Sequence, residues 1–528
     1  MSPYTNRRVE LDQSKESSVR EFEQLARYIV KPHFSLEAIR YVSETKTVLY
    51  KGTMHAGIIN GTMTSIPKHA ARNDRSGSQG MKASTLAHLT DRRNLLILTY
   101  APAGLGHLRI TDALYDGLPK PVNPVVLGSQ DKSIETLHRI TSIHPIGRTI
   151  FDWLQTGPLA LQANRLYRYS LRMNTGVVYN EMIQLIEERL DPPKKILVVS
   201  THFGLAHKLA VIKERLQKEK GVRIVLVVFV SDDTFQQIWY VDGADLLAVT
   251  SNFIKRKYAA YGHSLGQDVR IEAVSYPLNP QLGIPLSARK ITDRRNQLDA
   301  KHKTPIRVSI PISGAAVGTL YVSHLIASLR EKSDRFHFHI VSKDAPFTHS
   351  FLTDLEGKPY LSLSVGKQDR EVVDLYDDLL NREVISLEVT KPSEQAFKAL
   401  TGTQTRGGVI LLFAEPVGSQ ESDNLDFLER HKLIPTKADN ASLWNIAGSS
   451  AGLKTPLGKR LFEESRAWRG VRLPGGSKRS ADFIWWMLNS GLFARMESNN
   501  RTIHLTDEGK PINGSKGVSE FWDLATSI

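Results

Sequence analysis

From about residue 94 to residue 413, short uninterrupted apolar runs alternate with stretches of helical spacing, and this alternation limits the folds open to the chain more than any other feature. Leu95-Leu96-Ile97-Leu98 and Val409-Ile410-Leu411-Leu412-Phe413 are written as strands buried on both faces, which is how parallel strands read. Each runs into a loop that opens a helix. The first loop is Ala101-Pro102-Ala103-Gly104-Leu105-Gly106-His107 and the second is Pro416-Val417-Gly418-Ser419-Gln420-Glu421-Ser422-Asp423-Asn424. Glycines in the first let a backbone approach a ligand closely, and helix amides beyond them favour anionic or polar oxygen.

The same pattern predicts strands at 94–100, 123–127, 195–200, 222–230, 245–249 and 270–274, with helices at 107–118, 177–189, 204–219 and 251–261. Such an order makes a doubly wound α/β sheet. Ser275-Tyr276-Pro277-Leu278-Asn279-Pro280 closes it, since two prolines halt regular structure. A second sheet is expected from 306 onward, through strands at 336–341, 359–363, 384–388 and 409–413 and helices at 318–331, 370–381, 393–400 and 421–431. The domain reading is therefore an N-terminal extension over 1–93, a first α/β domain over 94–285, a charged linker over 286–304, a second α/β domain over 305–450 and a basic extension over 451–528. Two such halves joined by a hinge enclose a cleft.

With 528 residues, 41% hydrophobic and 23% charged, the chain has the composition of a soluble multidomain protein. A formal charge of +14 favours anionic partners without choosing among nucleic acid, an acidic membrane face and phosphorylated substrates. The absence of cysteine excludes disulfides, thiolate catalysis and cysteine-ligated zinc, and fits a reducing cytoplasm. The N-terminal residues are not written as a signal peptide, and no apolar run reaches the roughly 18 residues of a spanning helix. Any membrane contact is expected to be peripheral.

Three regions outside the sheets carry their own expectations. The stretch 53–90 reads as a poorly ordered linker. The stretch 143–180 interleaves Phe151, Trp153, Tyr167 and Tyr169 with Arg165, Arg168 and Arg172, which suits an anionic bilayer surface or an amphipathic layer over the sheet. Near the C-terminus, Phe483 to Leu488 reads as a buried helix followed by a possible hairpin at 492–496 and 502–506, either a winged DNA-binding element or a cap.

Chemistry is sought at the loop mouths. His107 stands at a helix start beside glycines, and an imidazole titrating near 6.5 suits proton removal near neutrality; it can equally cap the helix. His202, at the end of another strand, can line the same cleft or be structural. Asp232 and Asp233 can bind a hydroxyl or orient a histidine, or serve as solvated caps.

In order along the chain, Gly104-Leu105-Gly106-His107, Val198-Val199-Ser200-Thr201-His202, Val230-Ser231-Asp232-Asp233 with Trp239, Tyr276-Pro277-Leu278-Asn279-Pro280, Ser313-Gly314-Ala315-Ala316-Val317-Gly318, Thr390-Lys391-Pro392 and Pro416 to Asn424 resemble the motifs of one family. These are the GT-B glycosyltransferases of the monogalactosyldiacylglycerol synthase and processive diacylglycerol glucosyltransferase type, and the likeness spans about 94–436. It implies two Rossmann-like domains facing a cleft. It further implies transfer of a hexose, with inversion, from a nucleotide-sugar (a UDP-sugar) to a lipid or other hydrophobic hydroxyl acceptor at an anionic membrane surface, with a cytoplasmic location on the inner face of the cell membrane.

On that resemblance His107 is the base; Gly106, His202, Asp232 and Trp239 meet the acceptor; and Ser313, Gly314, Gly318, Lys391, Glu394, Gln395, Gln420, Glu421 and Asn424 meet the donor. Gln420 and Asn424 fall one helical turn apart on one face. No Asp-x-Asp pair stands where a donor phosphate would need a metal, so neither metal nor cofactor is expected, and helix amides with Lys391 take the cation's place. The chain departs from the family where Lys391-Pro392 is followed by Ser393 instead of glycines and where Gly418-Ser419 replaces Pro-Gly. About 25–52 resembles a piece of an insertion-sequence transposase. The alternatives are a nucleic-acid-binding protein of mobile-element origin, although nucleic acid is not the expected partner, and an inactive GT-B protein that only binds a nucleotide-sugar.

Overall fold

The computed structural model describes residues 39–42, 47–50, 80–100, 105–128, 168–169, 171–173, 175–189, 191–312, 314, 316–413, 416, 418–449, 452–498, 504–505, 511–512 and 516–528. Strands β1 (Ile39–Val42) and β2 (Thr47–Tyr50) pair antiparallel, with Ile39 opposite Tyr50. The rest of the transposase-like stretch lies outside the described residues.

Two six-stranded parallel sheets, each wound on both faces, carry the molecule. The first contains β3 (Asn94–Tyr100), β4 (Val125–Gly128), β5 (Lys195–Ser200), β6 (Arg223–Phe229), β7 (Leu246–Val249) and β8 (Ile271–Ala273), in the order β4-β3-β5-β6-β7-β8. The second contains β9 (Ile306–Pro311), β10 (Phe336–Lys343), β11 (Leu361–Gly366), β12 (Leu387–Thr390), β13 (Val409–Leu412) and β14 (Gly470–Arg472), in the order β11-β10-β9-β12-β13-β14. The apolar runs form these strands because residues such as Ile97, Val198, Val227, Ile310 and Val409 are fully enclosed by helices on both sides.

In each sheet the first strand lies inside, with its successor on one side and a later strand on the other. The strand order therefore reverses between β3 and β5, and again between β9 and β12. A reversal splays the loops at the carboxyl ends of the two strands and opens a crevice there. The loops beginning at 101 and 201 flank the first reversal, and those beginning at 312 and 391 flank the second.

Several segments differ from the sequence-based expectations. Ala83–Thr90, at the end of the stretch read as a poorly ordered linker, is a helix that buries Thr85 and Leu89. Within the charged stretch after 286, Ala288–Leu298 is a helix capped by Ser287; its charges face outward except for Arg294, whose guanidinium donates to Thr403 O at 2.8 Å. Leu492–Glu497 is a helix and not a hairpin strand, because Leu492, Phe493 and Met496 fall on one buried face. A ladder forms instead between β15 (His504–Leu505) and β16 (Pro511–Ile512). Last, β14 supplies a short sixth strand where a Cβ on Gly470 would sit 2.6 Å from Ile410 O.

The chain ends by crossing back to the first lobe. In the helix Gly517–Thr526 the indole of Trp522 donates to Leu114 O at 3.0 Å, and Phe521 meets Phe229 edge to face at 5.8 Å. No helix among the described residues is long and apolar enough to cross a membrane.

Candidate active site between the lobes

Three loops of the first lobe meet at its crevice. The helix Leu105–Asp116 begins directly beyond β3, placing Gly106 and His107 on its first turn. His107 O accepts from Thr111 Oγ1 at 2.9 Å and from Thr201 Oγ1 at 3.1 Å, so the histidine's backbone is tied to the end of β5. His202 caps the helix Phe203–Lys220, and its Nδ1 accepts from Gly204 N at 3.1 Å. That bond leaves the proton of the neutral ring on Nε2. The His107 and His202 rings meet edge to face at 5.0 Å, with the fully buried Trp239 ring 5.8 Å from His107 and 6.5 Å from His202. Gly106, His107, His202 and Trp239 thus form one group.

The remaining acidic candidates of the first lobe point toward the second. Asp232 accepts from Asn424 Nδ2 at 2.8 Å and from Ser231 at 3.1 Å. Burial pushes its pKa up to about 6, against the pull of those donors. Asp233 accepts from Thr250 at 2.7 Å and pairs with Arg430 at 2.7 Å, while its amide donates to Asn424 Oδ1 at 3.0 Å. Neither acid is a solvated cap.

In the second lobe, Ser313 lies outside the described residues and Gly314 is half-buried in the loop after β9. Gly318 opens the helix Thr319–Lys332 with φ +85°, and a Cβ there would lie 2.6 Å from the Phe413 ring. Only glycine fits at this position. Two residues earlier Ala316 also takes a left-handed φ of +53°, a course that favours glycine. Lys391 pairs with Glu421, and Gln395 is buried at the start of the short helix Glu394–Leu400. Gln420 donates to Gln236 Oε1 at 3.0 Å, and Gln236 donates to Ser419 at 3.1 Å. Asn424 is fully enclosed, its amide committed to the first lobe.

The two crevices face each other across a narrow gap. A Cβ on Gly106 would stand 3.1 Å from Glu394 Oε2, and Arg109, one turn beyond Gly106, pairs with Glu394 at 2.7 Å. Burial alone would raise the Glu394 pKa, yet Arg109 holds it below the ordinary carboxylate range. Behind this contact a cavity is lined by Arg109, Tyr276, Asn279, Asp377 and Glu394. Asn279 Nδ2 donates to Asp116 at 3.0 Å and to Asp377 at 2.8 Å, bridging the lobes at the hinge. Arg370 pairs with the buried Asp112 at 2.7 Å on the same helix face.

Sequence reasoning missed Arg109, Gln236, Asn279 and Arg430. Their partners lie roughly a hundred to three hundred residues away along the chain, and only the place of Arg109 one turn after Gly106-His107 hinted at a role. Among the described residues no three His, Asp or Glu side chains converge as a metal-ligating group. Of the aromatic and arginine stretch at 143–180, Trp153 and Arg165 lie outside the described residues. Arg168 donates to the Tyr261 hydroxyl at 3.1 Å, Arg172 pairs with Asp242 at 3.5 Å, and Tyr169 is 64% exposed.

No family model matches the chain, and no curated protein matches it. Solved structures overlap it loosely. UGT89C1 of Arabidopsis thaliana complexed with UDP does so with a TM-score of 0.37 and 12% identity, over 82% of this chain and 100% of that one. MurG of Acinetobacter baumannii does so with a TM-score of 0.38 and 11% identity, over 82% and 100%. MnaA of S. aureus with UDP does so with a TM-score of 0.39 and 10% identity, over 81% and 94%. Overlaps this loose assign neither family nor chemistry.

Proposed function

We propose that the chain is an inverting glycosyltransferase that moves a hexose from a UDP-sugar to a hydroxyl on a lipid or other hydrophobic acceptor, without a bound metal. The observation that carries this reading is the close approach of Gly106 to Glu394, which makes the mouths of two doubly wound sheets one crevice. The ordered motifs from Gly104 to Asn424 supply the chemical assignment.

Uridine and diphosphate lie against the second lobe, where the amides opening the helix Thr319–Lys332 meet phosphate oxygen and Glu394 or Gln395 accepts from the ribose hydroxyls. Gln420 and Glu421 read the hexose. The acceptor enters beside His202 and Trp239, and its hydroxyl attacks the anomeric carbon on the face opposite the leaving diphosphate. His107 takes the hydroxyl proton as the new C–O bond forms and the bond to diphosphate breaks. Asp232 and Asn424 act as a strut that sets the distance between base and donor. A peripheral site on the inner face of the cell membrane fits the exposed Tyr169 and Met173 beside Arg168 and Arg172.

The test is mass spectrometry of products after incubation with mixed UDP-sugars and a lipid extract, where a lipid heavier by one hexose is expected. Absence of any hexosylated product from either lipid or water-soluble acceptors would overturn transfer. A second reading, binding without turnover, is favoured by the pairing of Lys391 with Glu421 and by Ser393 in place of a glycine. It predicts UDP binding with no sugar released or moved.

A further inference from the structure

We infer that Arg109, a residue of the first lobe, is a diphosphate ligand of the cleft and reaches the donor by exchanging partners with Glu394. This rests on the nucleotide-sugar reading above and adds to it the source of the cation. Among the described residues, the two lysines of the second lobe beside Glu421 and Glu394 are already committed. Lys391 is neutralised by Glu421, and Lys398 is tied to Glu388 in a buried contact where burial drives its pKa far below the ordinary lysine value. An ammonium gives up its charge under burial, whereas a guanidinium keeps it.

Arg109 is built for the part. Its side chain is 15% exposed and its guanidinium lies 5.1 Å over the Tyr376 ring, so few rotamers are open to it. Only Nη1 is engaged, by Glu394 Oε1 at 2.7 Å. Nε and Nη2 are buried with no hydrogen-bond partner among the described residues, and the same is true of the Tyr276 hydroxyl on the wall of the same cavity. Buried donors left unmade are costly, and two N–H groups of one guanidinium present a fork that matches two phosphate oxygens.

Without a ligand, Arg109 and Glu394 cancel one another. A nucleoside diphosphate brings ribose hydroxyls that donate to Glu394 and phosphate oxygens that accept from Arg109, so both charges keep partners and the lobes stay linked through the ligand instead of directly. Gly106 leaves Glu394 room to turn, since any side chain there would press on its carboxylate.

Isothermal titration of the full chain with UDP, uridine and inorganic pyrophosphate tests this. Arg109→Gln is expected to weaken UDP and pyrophosphate about 10- to 100-fold, as loss of a charge-assisted contact does, and to leave uridine within a factor of about two. Glu394→Gln, which frees Arg109 without removing it, is expected to strengthen pyrophosphate binding and weaken uridine, and it guards against a folding defect in the first variant. Equal UDP and pyrophosphate affinities in wild type and Arg109→Gln would overturn the assignment while leaving the nucleotide site in place. Pyrophosphate binding that depends on Arg109, with no binding of UDP or uridine, would support the anion site and overturn the sugar-transfer reading. Binding of none of the three would overturn both.

Discussion

The two lobes share one sheet plan but prepare their mouths differently. In the first, His107, His202, Phe203 and Trp239 pack ring against ring, and the backbone of His107 is pinned by two threonine hydroxyls. In the second, the groups that would meet a ligand are charges already spent on one another or on the first lobe: Lys391 on Glu421 and Glu394 on Arg109. A site made of packed rings is set before anything binds, whereas a site made of paired charges must exchange partners. On the proposed reading, this difference puts rigidity on the side assigned the proton and adaptability on the side assigned the phosphate.

If the first lobe owes its rigidity to packing, removing the largest external support should loosen it and spare the second. Trp522→Ala deletes a fully buried indole that donates to Leu114 O behind the His107 helix, and it is expected to cost about 3–5 kcal/mol. Hydrogen exchange should speed in β3 and β6 while β9 and β10 keep their protection. Uniform acceleration in both sheets would show that the lobes melt as one.

Asn424→Ala cuts the strut between the lobes and strips a donor from the half-buried Asp232. Urea denaturation should report a loss of about 1–3 kcal/mol, the usual cost of leaving a buried polar group unmade. The Asp232 pKa should climb above its value of about 6, because burial would then act with one opposing donor fewer. A melting temperature unchanged from wild type would mean that the lobes are held elsewhere.

At the hinge the expected effect is a pH dependence of stability. Burial raises the pKa of Asp377 to about 7, with Asp116 adding to it. Between the ordinary carboxylate value near 3.9 and 7, the unfolded chain is ionised while the folded chain still holds the proton, so rising pH costs the wild type stability across that window and no more above it. Asp377→Asn removes the cost. Its melting temperature relative to wild type should therefore rise from pH 4 to pH 7 and then level off; a difference that stays constant with pH would contradict the assignment.

Much of the architecture was legible in the sequence because a strand buried on both faces leaves a continuous apolar record. Lys195–Ser200 and Arg223–Phe229 could hardly be written otherwise. Gly470–Arg472 left no such record, since three residues, one of them glycine, carry no period. The helix Ala288–Leu298 hid behind its own charges, most of which face water while Arg294 does not. At the site, Gly106, His107 and His202 were marked by their place after strands. Gln236, Asn279 and Arg430 were not, because their meaning lies in partners supplied by the opposite lobe. Local pattern reports a mouth, but only the closed pair of lobes reports what the two mouths share.

The proposed reaction requires His107 to act on a hydroxyl beside a donor held by the other lobe. Transfer and UDP affinity measured together on His107→Ala test it most directly. The prediction is a UDP affinity equal to wild type with transfer reduced about 10²- to 10⁴-fold. Undiminished transfer, or loss of UDP binding in step with transfer, would contradict it.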